Sequence, residues 1–324
     1  MIASISSRSS GSLICSNTTG EPDSPGFGGG IAHYGRSTGG QIVDNQILSN
    51  QSVESGAGIA IKEQGGDAAV PGTGTVTVDR NLIQTNESGN DGGGIYVGGA
   101  RTDRIDILDN WIVDNLASDM AGGIMLHDST NVRIVNDTIA NNVSVAAPLI
   151  GTPSATPHAA GLVVDGNSDD FQATSPGVSY SRPRALFNDV FWNNTAFTLG
   201  TGGIAGELGA GGILDLEVTG AGSTDTLTPR FSLLTDGTVQ RSDGTTAPAP
   251  AGQGNLLAVD PLFVTPFTVE LIPGSSRLAP NVSTITIGGT DPPIGLTGDY
   301  HLQAASPAVN RGVRCSGTPS PAPA

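Results

Sequence analysis

The chain has 324 residues, and 30 Asp and Glu against 14 Lys and Arg give it a formal net charge of −16. That balance argues against nucleic acid, whose phosphates need basic stripes, and against an anionic membrane surface. No apolar run reaches the ~18 residues of a spanning helix, yet with 37% apolar residues the chain can bury a core and is no disordered acidic tract.

Residues 1–25 read as an N-terminal first coil or cap. Met1 leads into a Ser-rich stretch without the basic and apolar regions of an export signal, so such a signal is expected outside these residues. Cys15 and Cys315 stand near opposite ends. In a rod they could not approach within the ~7 Å a disulfide needs, so two unpaired thiols are expected.

Residues 26–250 carry an internal repeat, the strongest signal in the chain. A Gly-Ile pair recurs at Gly30-Ile31, Gly58-Ile59, Gly94-Ile95, Gly123-Ile124 and Gly203-Ile204, with Gly161-Leu162 as a variant. Ile61, Val97, Leu126 and Val164 follow two positions on, the alternation of a strand with one buried face. A second element starts at Ile42, Val78, Ile107, Ile134 and Leu186. Each start is followed in fixed register by a polar residue (Asn45, Asn81, Asn110, Asp137, Asp189), an apolar one (Ile47, Ile83, Ile112, Ile139, Phe191) and an Asn (Asn50, Asn86, Asn115, Asn142, Asn194).

Units rich in Gly, Asn, Thr and Val do not suit helical repeats. A parallel solenoid accounts for the register. Stacked coils lie ~4.8 Å apart, apolar files fill the interior, and stacked Asn side chains hydrogen-bond along the turns. Gly would supply positive φ where the chain turns sharply. The expected fold is all-β: a single-stranded right-handed parallel β-helix with an irregular C-terminal cap.

The G-G-G-I and N-x-I-x-x-N patterns over residues 26–235 resemble the right-handed parallel β-helix, or pectin-lyase-like, superfamily. Its members include polysaccharide lyases and hydrolases, epimerases, phage tailspikes and secreted surface proteins. Residues 251–314 read as closing coils. Gly254–Val264, with its Asp260-Pro261-Leu262-Phe263, and Gly298–Gln303 followed by Ser306-Pro307-Ala308 resemble the end of bacterial choice-of-anchor Q surface proteins. That resemblance implies an extracellular or cell-surface location, with an anchor outside this chain. The segment 265–295 is a longer insert than the resemblance implies, and 315–324 is a Pro-rich tail.

Motifs for chemistry are sparse. Paired carboxylates of a hydrolase are not evident, and Asp169-Asp170 reads as a polar turn. Arg182-Pro183-Arg184 is similar to an arginine motif of lyases, but two arginines around a proline are common. Asp165, Asn167 and Asp169 alternate oxygen ligands as calcium loops begin, but lack the Gly and Glu that complete an EF-hand, so a turn without metal is expected, weak calcium binding is the alternative, and no other cofactor is implied. Connections after the Gly-Ile strand vary in length, so loops 62–75, 98–104, 127–131 and 165–183 should emerge side by side as a binding face. Arg101, Arg104, Asp165, Asp170 and Arg182 are the candidate ligand contacts, with Arg101, Asp165 and Arg182 bordering a shallow groove. The expected function is a monomeric, secreted, non-catalytic surface or adhesion scaffold that binds carbohydrate or a protein partner. The alternative is a calcium-dependent polysaccharide lyase or another carbohydrate-active enzyme.

Overall fold

A computed structural model describes residues 8–21, 24–64, 71–149, 153–199, 208–209, 211–220, 225–267, 273–279, 282–287 and 297–313. It is all-β apart from the one-and-a-half-turn helix Asp169–Thr174. Each repeat places one short strand in each of four sheets. Val76–Asp79 enters the first, Leu82–Gln84 the second, Glu87–Ser88 the third and Ile95–Arg101 the fourth. The next repeat does the same with Ile105–Leu108, Trp111–Val113, Leu116–Ala117 and Ile124–Ser129, each parallel to its predecessor. The second sheet runs to eight strands, ending at Leu256–Leu257. Among the described residues no helix is long and apolar enough to cross a membrane.

The strand register matches the sequence repeat. Ile42, Val78, Ile107, Ile134 and Leu186 are paired neighbours in the first sheet. Ile47, Ile83, Ile112, Ile139 and Phe191 are so in the second, and Ile59, Ile95, Ile124 and Leu162 in the fourth. All three files belong to one buried core. Gly203-Ile204 lies outside the described residues. The strand that follows Leu162–Val164 in the fourth sheet is Leu216–Val218, led by Asp215 in place of Gly.

Between the second and third sheets the Asn side chains form a continuous buried ladder. Nδ2 of Asn50, Asn86, Asn115 and Asn142 each donates to Oδ1 of the next member, at 3.0, 2.9, 3.1 and 3.0 Å, the last acceptor being Asn194. Each acceptor oxygen also receives the backbone N–H of the preceding member. The residue before each Asn turns the chain with positive φ: Ser49, Thr85, Asp114, Asn141 and Asn193. The repeat glycines do different work from that expected. Gly94 shows no positive φ, but a Cβ there would meet the Gly123 oxygen at 2.8 Å and Ile112 Cγ2 at 2.7 Å. It is needed for room. Positive φ falls instead two residues earlier, as at Gly92 (φ 63).

The closing segment first adds Leu256–Leu257 to the second sheet. Phe263–Thr265 and Asp299–Leu302 form an antiparallel pair. That pair packs on the outside of the second sheet, where Phe263 and Tyr300 join Val113, Ala140, Val190 and Leu233. Tyr300 donates to Asp114, and Gly298 N donates to Gln84 Oε1 at 3.1 Å. The segment lies along the flank of the stack, because Leu82, Trp111 and Trp192 make that outer face apolar. His301 sits edge-on to Trp111 and beside Asp299, a structural placement. Cys315 and the tail 315–324 lie outside the described residues, as do 268–272, 280–281 and 288–295 of the insert 265–295.

Candidate functional site

The outer face of the fourth sheet gathers the titratable groups. Strand alternation points Ala60, Tyr96, Met125, Val163 and Glu217 outward as one file, and their register neighbours Lys62, Gly98 and His127 as a second. Asp165, just past the strand Leu162–Val164, continues the second file. Phe27 covers Tyr96 with ring centroids 5.8 Å apart, and Lys62 Nζ lies 3.6 Å from the Phe27 ring centroid.

Asp165 is the hub. Its Oδ2 lies 2.9 Å from His127 Nδ1, and its Oδ1 accepts from Gly166 N and from Thr219. Burial pushes this carboxyl up, but the bonds from His127 and Thr219 outweigh it and hold the group below its ordinary value. The bond to Asp165 in turn raises His127. Asp128 receives both Ser168 N and Ser168 Oγ, at 2.7 and 2.6 Å. Higher on the same face, Glu217 accepts from Ala159 N at 2.6 Å and lies 2.9 Å from His158 Nδ1. Burial opposes protonation of His158, yet Glu217 raises it overall.

The third group consists of carboxyls that burial raises above their ordinary values. Burial, then the neighbouring Asp119, pushes Asp91 well up, and burial raises Asp119 to about 6. Glu54 is raised by burial as well, and Lys62 is lowered by it. One face therefore holds a lowered acid (Asp165), two raised imidazoles (His127 and His158) and two raised acids (Asp91 and Asp119). Such a set can donate and accept hydrogen bonds in both directions, and can also transfer protons.

The expected candidates fall into three places. Arg101 joins Glu63 (2.9 Å) and Asp170 (2.8 Å), so the loops after successive fourth-sheet strands do meet. Arg104 turns away to Asp106 at 2.7 Å. Arg182 lines a separate cleft of about 530 Å3 with Arg184 and Arg230. Neither Arg101 nor Asp165 borders that cleft: Arg101 is held by two carboxylates and Asp165 by His127. Residues 65–70 of the expected loop 62–75 lie outside the described residues.

The calcium candidates are turned toward protein donors. Asn167 Oδ1 accepts from Ser181 Oγ at 3.0 Å, and Asp169 opens the short helix capped by Ser168. Among the described residues no three His, Cys, Asp or Glu side chains are grouped to hold a metal.

Sequence reasoning missed Glu54, Asp91, Asp119, His127, His158 and Glu217. A signal existed for two groups. Lys62, Gly98, His127 and Asp165 share one offset from their Gly-Ile or Gly-Leu pair, and Asp91 and His158 share another. These offsets name residues without conveying that loops fold over them.

Comparison of the chain with protein-family models, with curated proteins and with solved structures gives no match.

Proposed function

We propose that the four sheets close into a right-handed parallel β-helix of the pectin-lyase-like kind. We take the protein to be a monomeric surface scaffold outside the cell that binds saccharide on the outer face of the fourth sheet. The resemblance of its C-terminal segment to choice-of-anchor Q proteins supports the surface location. The observation that carries the binding reading is the outward file of Lys62, Gly98, His127 and Asp165 on successive coils ~4.8 Å apart, beside the aromatic pair Phe27 and Tyr96. Sugar hydroxyls both donate and accept, so they suit a file that mixes ammonium, imidazole and carboxylate. Calcium has no part in this reading, because Asp165 and Asn167 already spend oxygens on protein donors.

The test is a panel of neutral and acidic polysaccharides presented to the full chain and to the His127→Ala/Asp165→Asn variant. Binding to at least one polysaccharide, weakened in the folded variant and unchanged by EDTA, is the expected result. Failure to bind any member would falsify the reading.

A second reading is favoured by one observation, the pairing of raised Asp91 and Asp119 with lowered Asp165. Carboxyls pushed apart in this way suit acid–base cleavage of a glycosidic bond. Chromatography of the same panel after incubation separates the two readings: shortened products, absent with Asp119→Asn, would establish an enzyme.

A further inference from the structure

We propose that the cleft lined by Arg182, Arg184 and Arg230 is a subsite for the oxyanions, carboxylate or sulfate ester, of a short acidic oligosaccharide. The proposal rests on the saccharide-binding reading and names a second place on the molecule where such a ligand is held.

The cleft lies where the first sheet ends. Its last strand, Ala185–Phe187, supplies Leu186 to the wall, and the irregular stretch that follows in the stack supplies Leu227 and Arg230. Arg230 is fixed through its backbone: its N donates to Leu186 O at 3.0 Å and its O accepts from Asn188 N at 3.0 Å. Leu186, Leu227 and Tyr180 are buried, whereas the three arginines are exposed at the rim. Its volume of about 530 Å3 falls in the range of small-ligand sites.

Three arginines without an ion pair among the described residues gather in this cleft. Arg36, Arg80, Arg101, Arg104 and Arg133 each hold at least one carboxylate. Among the described residues none of Arg182, Arg184 and Arg230 forms an ion pair. Asp225 also lines the cleft, so three guanidiniums face one carboxylate there, on a chain where acids outnumber bases 30 to 14. A local excess of cation on an acidic molecule is a site for an anion brought from outside.

Arg182 is already aimed. One of its terminal nitrogens donates to Tyr180 Oη at 2.7 Å, and its guanidinium lies 4.7 Å from the Tyr180 ring centroid. Tyr180 is itself anchored, reaching Thr226 O at 3.4 Å. One N–H is thus used to fix the plane, leaving the rest of the fork for a bidentate oxyanion. Arg184 reaches only Asn131 Oδ1, at 3.5 Å, and the Arg230 guanidinium lies 6.0 Å from the Phe231 ring centroid. Neither contact consumes their charge. The charge of −16 repels a long polyanion from the remaining surface, so a short oligomer or a chain end fits better.

The experiment is calorimetric titration of the full chain with trigalacturonate, with a sulfated disaccharide and with neutral maltotriose, at low and moderate salt. Wild type, Arg182→Gln, Arg184→Gln, the double variant and His127→Ala/Asp165→Asn are compared, with far-UV circular dichroism confirming the fold of each. At least one acidic sugar should bind; each single Arg variant should weaken it about tenfold, and the double variant should abolish it. The arm that binds tells carboxylate from sulfate. No binding of either acidic sugar, or equal binding by the folded double variant, overturns the subsite. Maltotriose bound alike by wild type and double variant, with neither acidic sugar bound, leaves the broader reading standing while the subsite falls. Acidic sugar lost only in the arginine variants and untouched by His127→Ala/Asp165→Asn upholds the subsite as a place separate from the fourth-sheet face.

Discussion

Two side-chain ladders run along the stack, and they pass from amide to acid at different points. Between the second and third sheets Asn50, Asn86, Asn115, Asn142 and Asn194 each accept from one neighbour and donate to the next, the amides ending only where Asn194 donates to Asp215 Oδ1 at 2.8 Å. Between the first and second sheets the ladder begins in the same way, Asn45 to Asn81 to Asn110 at 3.0 and 2.9 Å. It then changes chemistry at Asp137 and Asp189. Asn110 Nδ2 still donates to Asp137 Oδ1 at 2.9 Å. An ionised Asp137 has no donor to send onward, since a carboxylate only accepts. Asp189 Oδ1 receives the Asp137 backbone N–H at 3.0 Å, while no hydrogen bond of normal geometry reaches its Oδ2. Burial raises Asp137 to about 7, and burial with the Asp137 charge pushes Asp189 well up. An amide propagates a ladder by itself; an acid propagates it only by keeping a proton.

The largest effect should come from the interior that both ladders bracket. Ile112 is fully buried, and its carbonyl accepts from Asn142. Ile112→Ala should cost about 2–5 kcal/mol, read as a lower denaturation midpoint. Next comes Asn115, whose amide donates to Asn142 and Ile83 while accepting from Asn86. Asn115→Ala should cost about 1–3 kcal/mol; an unmoved midpoint would mean that the amide ladder holds nothing.

Asp189→Asn should act with the opposite sign, because it replaces a buried carboxyl that the fold favours only in its protonated form with a neutral amide. A carboxyl raised in the folded state binds a proton that the unfolded chain releases. Wild type therefore loses stability as pH rises from about 4, the ordinary carboxyl range, through the raised native values. The variant's gain should be near zero at pH 4 and about 1–3 kcal/mol at pH 8. A gain independent of pH would show that the proton is not what completes the ladder. The smallest effect is expected off both ladders. Tyr300→Phe removes the hydroxyl that binds Asp114 and should cost about 1 kcal/mol, with the stack intact by circular dichroism.

Much of the stack is legible in the residues because its constraints repeat. Ile107, Ile134 and Asn115 sit in files where every member meets the same neighbour, so one offset recurs and can be counted. The outward positions obey no such rule. Tyr300 meets Asp114 across 186 positions of chain, and His158 meets Glu217 across 59, contacts set by how loops fold back over the sheets. The sequence by itself determined the strand periodicity, the apolar interior and the Asn turns, because inward packing tolerates one residue class at each site. Only the tertiary structure decided that Asp165 pairs with His127, that Arg182 and Arg230 share a cleft, and that the closing segment lies on the flank. Those contacts join single residues from different loops, and a single residue carries no period from which its partner can be inferred.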